Sequence, residues 1–155
     1  MILLNQFPAG FGWEIEILAS DISTQVLATA KKAVYQIEKM REIPEHFLKP
    51  FVLRGKGDQL GKIRMHRSIR SMVRFRRLNI NLESYPVDGV FDLIFCRNVL
   101  IYFDAAGKVA VVNRLLRHLA PGGYLFVGHA ESLTNLTDRV KSVVPTVYQV
   151  IPSER

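Results

Sequence analysis

The run Phe91-Asp92-Leu93-Ile94-Phe95-Cys96, which stops abruptly at Arg97-Asn98, constrains the fold of this chain more than any other segment. Its length suits a strand, and its mostly apolar composition suits one covered on both faces in a parallel sheet. A permanent guanidinium set directly after such a strand needs a partner or water, because an unpaired buried charge is prohibitive. A structural salt bridge and a ligand-facing role both meet that need.

Around this run, strand and helix signals alternate. Met1 to Phe7 is apolar with no capping residue before it, as in the second half of a helix, and Pro8-Ala9-Gly10-Phe11-Gly12 is a turn. Trp13 to Ala19 predicts a strand closed by Ser20-Asp21-Ile22-Ser23, and Ser23 is the expected N-cap of a helix from Thr24 to about Tyr35. A short helix with Pro44 in its first turn follows. Phe51-Val52-Leu53 and Lys62 to Arg67, joined by a glycine-bearing turn, read as a two-stranded ribbon, the core of a small β insertion at about residues 50–71. Strand alternation resumes over Met72 to Leu78. Beyond Arg97, Asp104 can cap a helix with Val109, Val112, Leu115, Leu116 and Leu119 on one face, stopped by Pro121-Gly122-Gly123. Tyr124 to Gly128 and Thr146 to Ile151 are the last strands. Such alternation predicts an α/β architecture with a largely parallel, doubly wound sheet in one domain.

Ligands of open α/β sheets bind beyond the carboxyl ends of strands. Asp21, Asn79 and Arg97-Asn98 all stand at such ends, so they are the candidates for one crevice. An acid at the end of the second strand suits ribose hydroxyls, although a turn or capping role explains Asp21 as well. Asn79 and Asn81 are equally explained as turn formers. Tyr102 either presents its hydroxyl to the crevice or is a core tyrosine with a satisfied hydroxyl. His129-Ala130-Glu131-Ser132 follows a strand and either lines the crevice or forms a plain loop.

Several chemistries are disfavoured. Gly10-Phe11-Gly12 precedes a strand, whereas a phosphate-cradling loop follows one. The four histidines lack metal-ligand spacing and Cys96 has no adjacent base, so no metal site and no hydrolase are expected. A single cysteine excludes an internal disulfide. No apolar run approaches the roughly 18 residues of a membrane span, so a soluble, cytoplasmic protein without direct membrane insertion is expected. The formal charge of +7 is concentrated between Arg54 and Arg77, where nine basic residues meet one acid, Asp58. That patch suits a localised acidic partner, or is a solvated surface. With few aromatics among its basic residues it is a poor nucleic-acid ribbon.

Phe91 to Phe103, reading F-D-L-I-F-C-R-N-V-L-I-Y-F, resembles the signature of the CheR family of chemotaxis receptor methyltransferases. Ala19 to Ser23, Leu78-Asn79-Ile80, Pro121 to Glu131 and Thr146-Val147-Tyr148 resemble the same family in the same order. The resemblance implies a Rossmann-like class I methyltransferase domain that binds S-adenosylmethionine and releases S-adenosylhomocysteine, with a small antiparallel β subdomain inserted. It implies that Asp21 holds the ribose hydroxyls, that Asn79 and Ile80 flank the adenine, and that Arg97 and Asn98 contact the methionine part. Tyr102 would lie close to the transferred methyl, and Arg97 could orient the substrate carboxylate. The substrate would be glutamate carboxylates of chemotaxis receptors, and the segment from Arg54 to Arg77 would dock the receptor cytoplasmic domain or its acidic C-terminal tail.

The family's first strand and its glycine-containing turn would lie before residue 1. The resemblance therefore implies a partial domain over 1–155, incomplete at its N-terminus, which is expected to bind the cofactor weakly or not at all. A non-catalytic module that tethers receptor peptides is the competing expectation.

Overall fold

The structure, a computed structural model, describes residues 1–7 and 12–151. The turn expected over Pro8 to Gly12 lies, up to Phe11, outside them. The chain divides into two compact units, Met1–Asn79 and Ile80–Arg155.

In the first unit α1 spans Ile2–Gln6 and has no side-chain cap, in keeping with its sequence. Strand β1 covers Ile17–Asp21, later than expected, so that Asp21 is its last residue; Trp13 instead lies exposed with its ring 4.8 Å from that of Phe7. Helix α2 runs over Thr24–Lys32, its N-cap Ser23 accepting a hydrogen bond from the Val26 N–H. It ends earlier than expected because Ala33 turns left-handed (φ 51°) and closes the last turn. Val34–Gln36 then forms β2, since a β-branched and an aromatic residue gain more from a strand pair here than from another helical turn.

Pro44 caps α3 (Glu45–Phe51) and so stands just before its first turn. Strands β3 (Val52–Arg54) and β4 (Lys62–Met65) form the ribbon read from the sequence. The ribbon is widened by β2 into an antiparallel sheet of order β2-β4-β3, with Ile63 buried at its centre. After α4 (Arg67–Ser71), β5 (Val73–Arg77) pairs in parallel with β1, Asp21 opposite Arg77. The antiparallel sheet thus sits inside the crossover between two parallel neighbours.

The second unit is a four-stranded sheet of order β6-β7-β9-β8. Strand β6 (Phe91–Cys96) and β7 (Leu119–Val127) are parallel, joined through α5 (Ala105–Leu116). Asp104 caps α5 through the Gly107 N–H at 2.8 Å. Strand β7 begins before the Pro121-Gly122-Gly123 stop, which it absorbs as a register irregularity with Gly122 at φ 76°. β8 (Val140–Val144), not foreseen from its largely exposed residues, pairs antiparallel with β9 (Val147–Val150).

Most of the buried apolar side chains belong to this unit. Val111, Val112, Leu115 and Leu116 of α5 are buried, as are Leu119, Leu125, Val127, Leu100 and Leu133. Burying each contributes about 1.5–3 kcal/mol. Val109 is only half-buried, and Leu119 belongs to β7 rather than to the helix face. Nor is β6 covered on both faces: it is the edge of its sheet, Phe95 is 66% exposed, and its ring lies on Phe126 at 4.5 Å.

Candidate functional site

Each unit holds one part of the expected set of site residues, at the carboxyl ends of its parallel strands. In the first unit, Asp21 Oδ1 accepts from the Ser23 N–H at 2.8 Å, and its carbonyl accepts from the Leu78 N–H at 3.0 Å. The turn role weighed for Asp21 is therefore real. One donor does not exhaust a carboxylate, which has about four lone-pair sites. The Leu78 bond brings the segment leading into Asn79 alongside Asp21. Arg77, the register partner of Asp21, turns its Nε to the Ile22 carbonyl at 3.1 Å.

In the second unit Ile80 is half-buried, and its carbonyl accepts from the Tyr85 hydroxyl at 2.7 Å. Tyr85 is itself buried and stacked on His118. Arg97 and Asn98 leave the end of β6 exposed. Arg97 forms no ion pair among the described residues, so the salt-bridge alternative is not realised there. Asn98 is left-handed (φ 58°), a conformation that asparagine tolerates better than most residues. Tyr102 ends a 3-10 turn, Leu100–Tyr102, and is 81% exposed. It is not a core tyrosine.

The residue that sequence reasoning left undecided is Glu131, which is 8% exposed. Its Oε2 accepts from the N–H of Asn98 at 2.9 Å and of Gly128 at 2.5 Å. Its Oε1 accepts from Val99 at 2.8 Å and Ile101 at 3.3 Å. Burial alone would raise its pKa, but the surrounding backbone N–H groups, those of Gly128 and Asn98 foremost, outweigh that and hold the carboxyl below its ordinary value. Beside it the Cys96 thiol is pushed up to about 12, first by burial and then by the Glu131 charge, which makes it inert. A carboxylate after an apolar strand, facing the start of a neighbouring strand's loop, is the only sequence signal that could have pointed to this role.

The basic stretch is exposed in alternation. Arg64 on β4 and Arg74 on β5 face solvent between more buried neighbours, Arg76 and Arg77 are exposed side by side, and Arg74 meets Glu16 at 3.1 Å. A depression of about 440 Å³ is lined by Gln25, Val26, Thr29, Ala30 and Tyr35, and no expected site residue lines it. Among the described residues no helix is long and apolar enough to cross a membrane.

The family described as CheR methyltransferase, SAM binding domain, matches residues 1–149. Chemotaxis protein methyltransferase 2 of Pseudomonas aeruginosa is 38% identical over 147 residues, which is 95% of this chain and 52% of that protein. The chemotaxis protein methyltransferase of Escherichia coli is 37% identical over 133 residues, 86% of this chain and 46% of that protein. The chain spans about half the length of the curated relatives it matches. Among solved structures, the N-methyltransferase NodS from Bradyrhizobium japonicum superposes with a TM-score of 0.50 over 88% of this chain and 74% of its own, at 13% identity. That likeness supports the methyltransferase fold alone.

Proposed function

The chain belongs to the CheR methyltransferase family through its S-adenosylmethionine-binding domain, and from that premise we propose that it serves a protein-glutamate O-methyltransferase acting on chemotaxis receptors. The observation that carries the reading is Arg97: a permanent cation at the end of β6, exposed and without an ion pair among the described residues. A charge kept in that state suits an anionic ligand group.

The residues present fit the cofactor by their chemistry. The Asp21 carboxylate, at the end of β1, would accept from the ribose hydroxyls, with Asn79 and Ile80 beside the adenine. Arg97 and Asn98 would hold the carboxylate and amine of the methionine part. When bound, S-adenosylmethionine supplies an electrophilic methyl whose departure leaves a neutral thioether. The substrate glutamate oxygen forms its bond to that carbon as the carbon–sulfur bond breaks, giving a methyl ester. A carboxylate is already ionised at neutral pH, so no general base is needed. Arg97 would orient the attacking carboxylate, and Tyr102 would wall the path to the methyl. Alignment and exclusion of water of this kind can lower a barrier by roughly 7–11 kcal/mol.

The basic segment Arg54 to Arg77, in which Arg64, Arg74 and Arg76 are exposed, would dock the receptor cytoplasmic domain or its acidic C-terminal tail, in the cytoplasm. Residues 1–155 then constitute part of one methyltransferase domain with an inserted β subdomain. A tethering module without catalysis remains the second reading, favoured by the same exposed basic residues.

Calorimetry with S-adenosylmethionine and transfer of labelled methyl to a receptor cytoplasmic fragment, both on the protein carrying this domain, test the proposal. Arg97→Ala and Asp21→Ala should each weaken cofactor affinity about 10- to 100-fold, the worth of a hydrogen bond to a charged group. Unchanged affinity and transfer in both variants would overturn the site. Peptide binding with no transfer at all would favour the tethering module.

A further inference from the structure

Glu131 is the one buried charged side chain among the described residues, and every hydrogen bond described for it comes from a backbone N–H. Three donors belong to the loop after β6 (Asn98, Val99 and Ile101), and the fourth, Gly128, to the loop after β7. The carboxylate therefore ties together two loops at the carboxyl ends of neighbouring parallel strands. Consecutive N–H groups around a left-handed residue form a concavity that binds anions. In this chain the anion is internal.

The tie bears on function because of what the tied segment carries. Arg97 immediately precedes the first donor, and Tyr102 immediately follows the last. Both side chains are exposed, and Arg97 has no ion pair among the described residues to fix its direction. Its aim is then set by the backbone it stands on. Asn98 is left-handed within the same segment, and the two loops approach closely there. A Cβ added at Gly128 would stand 2.5 Å from Asn98 Oδ1 and 2.9 Å from Asn98 N.

We infer that Glu131 is a positioning residue of the methyl-transfer site: its carboxylate fixes the backbone of 98–101 so that Arg97, Asn98 and Tyr102 present themselves as one preorganised set. This rests on the function proposed above. Glutamine at this position would keep one acceptor but aim an NH₂ at N–H donors, and aspartate would be one methylene too short to reach both loops.

The test is Glu131→Gln and Glu131→Asp in the protein carrying this domain, read in two arms. In the first, amide hydrogen exchange resolved by NMR should quicken at least tenfold at Asn98, Val99 and Ile101 in Glu131→Gln, while the amides of α5 and central β7 keep their protection. In the second, KM for S-adenosylmethionine should rise at least tenfold in both variants. A role confined to folding would reduce the active fraction, lowering kcat and leaving KM alone. Unchanged exchange in the loop, or a loosened loop with unchanged KM, overturns the inference. Absence of methyl transfer in the unsubstituted protein would instead sink the proposed function, and the exchange arm would still decide whether Glu131 holds the loop.

Discussion

Gly128 lies so close to Asn98 that a Cβ at residue 128 would meet the Asn98 Oδ1 at 2.5 Å and the Glu131 Oε2 at 2.7 Å. The need for glycine here is steric, because of the atoms crowding that position the Glu131 Oε2 and the Asn98 N–H are bonded to each other and cannot part without breaking that bond. Gly128→Ala should destabilise the protein by about 1–3 kcal/mol, the usual cost of overpacking. Urea denaturation followed by circular dichroism measures it, and a midpoint unmoved by the substitution would show that the loops can part freely.

The same carboxylate predicts a pH dependence. Backbone N–H groups hold the folded-state pKa of Glu131 below that of an ordinary glutamate, so its contribution to stability is fully present above the unfolded-state value and is lost as pH falls through the folded one. The melting temperature of the unsubstituted protein should therefore exceed that of Glu131→Gln at pH 7, and the gap should narrow at pH 3. A gap of constant size across that range would mean that the charge is not what holds the loop.

How much of this was legible in the sequence depends on the range of the interactions involved. Ser23 and Asp104 announced their helices because an N-cap acts within three residues, and both caps are formed. The βαβ alternation was legible for the same local reason. The end of α2 was not: Val34 and Tyr35 continue a helical apolar pattern, and only pairing with Ile63 and Arg64, far along the chain, makes them a strand. Strand β6 misled in a different way. An apolar run indicates burial on both faces, yet Phe95 and Leu93 on one face of β6 are exposed while Cys96 on the other is buried. At the site, Asp21, Arg97 and Asn98 were conspicuous as polar residues at strand ends. Glu131 was not, since its partners are backbone groups, three of them 30 to 33 residues away, that carry no side-chain signature.

The core of the second unit should respond most to truncation. Leu125, in β7, is fully buried. Leu125→Ala should cost about 2–5 kcal/mol, whereas Leu60→Ala, at an 80% exposed residue, should cost well under 1 kcal/mol. Equal losses from the two substitutions in a denaturant titration would contradict the burial described.

The Cys96 thiol offers a direct probe of integrity. With its pKa pushed up to about 12 and its side chain buried, it should resist a thiol-specific disulfide reagent at pH 8 in the native state and react once the protein is unfolded. Rapid native-state labelling would show that β6 opens readily.

The place of the antiparallel sheet within the β1–β5 crossover has a kinetic corollary. Closing a loop from Ile22 to Met72 before any reward is entropically uphill, and such long-range pairing slows folding. The hairpin of β3 and β4, made of near neighbours, can assemble early and draw in β2, shortening the effective span that β1 and β5 must bridge. The segment between β1 and β5 is thereby a built-in scaffold for zipping its flanking strands together.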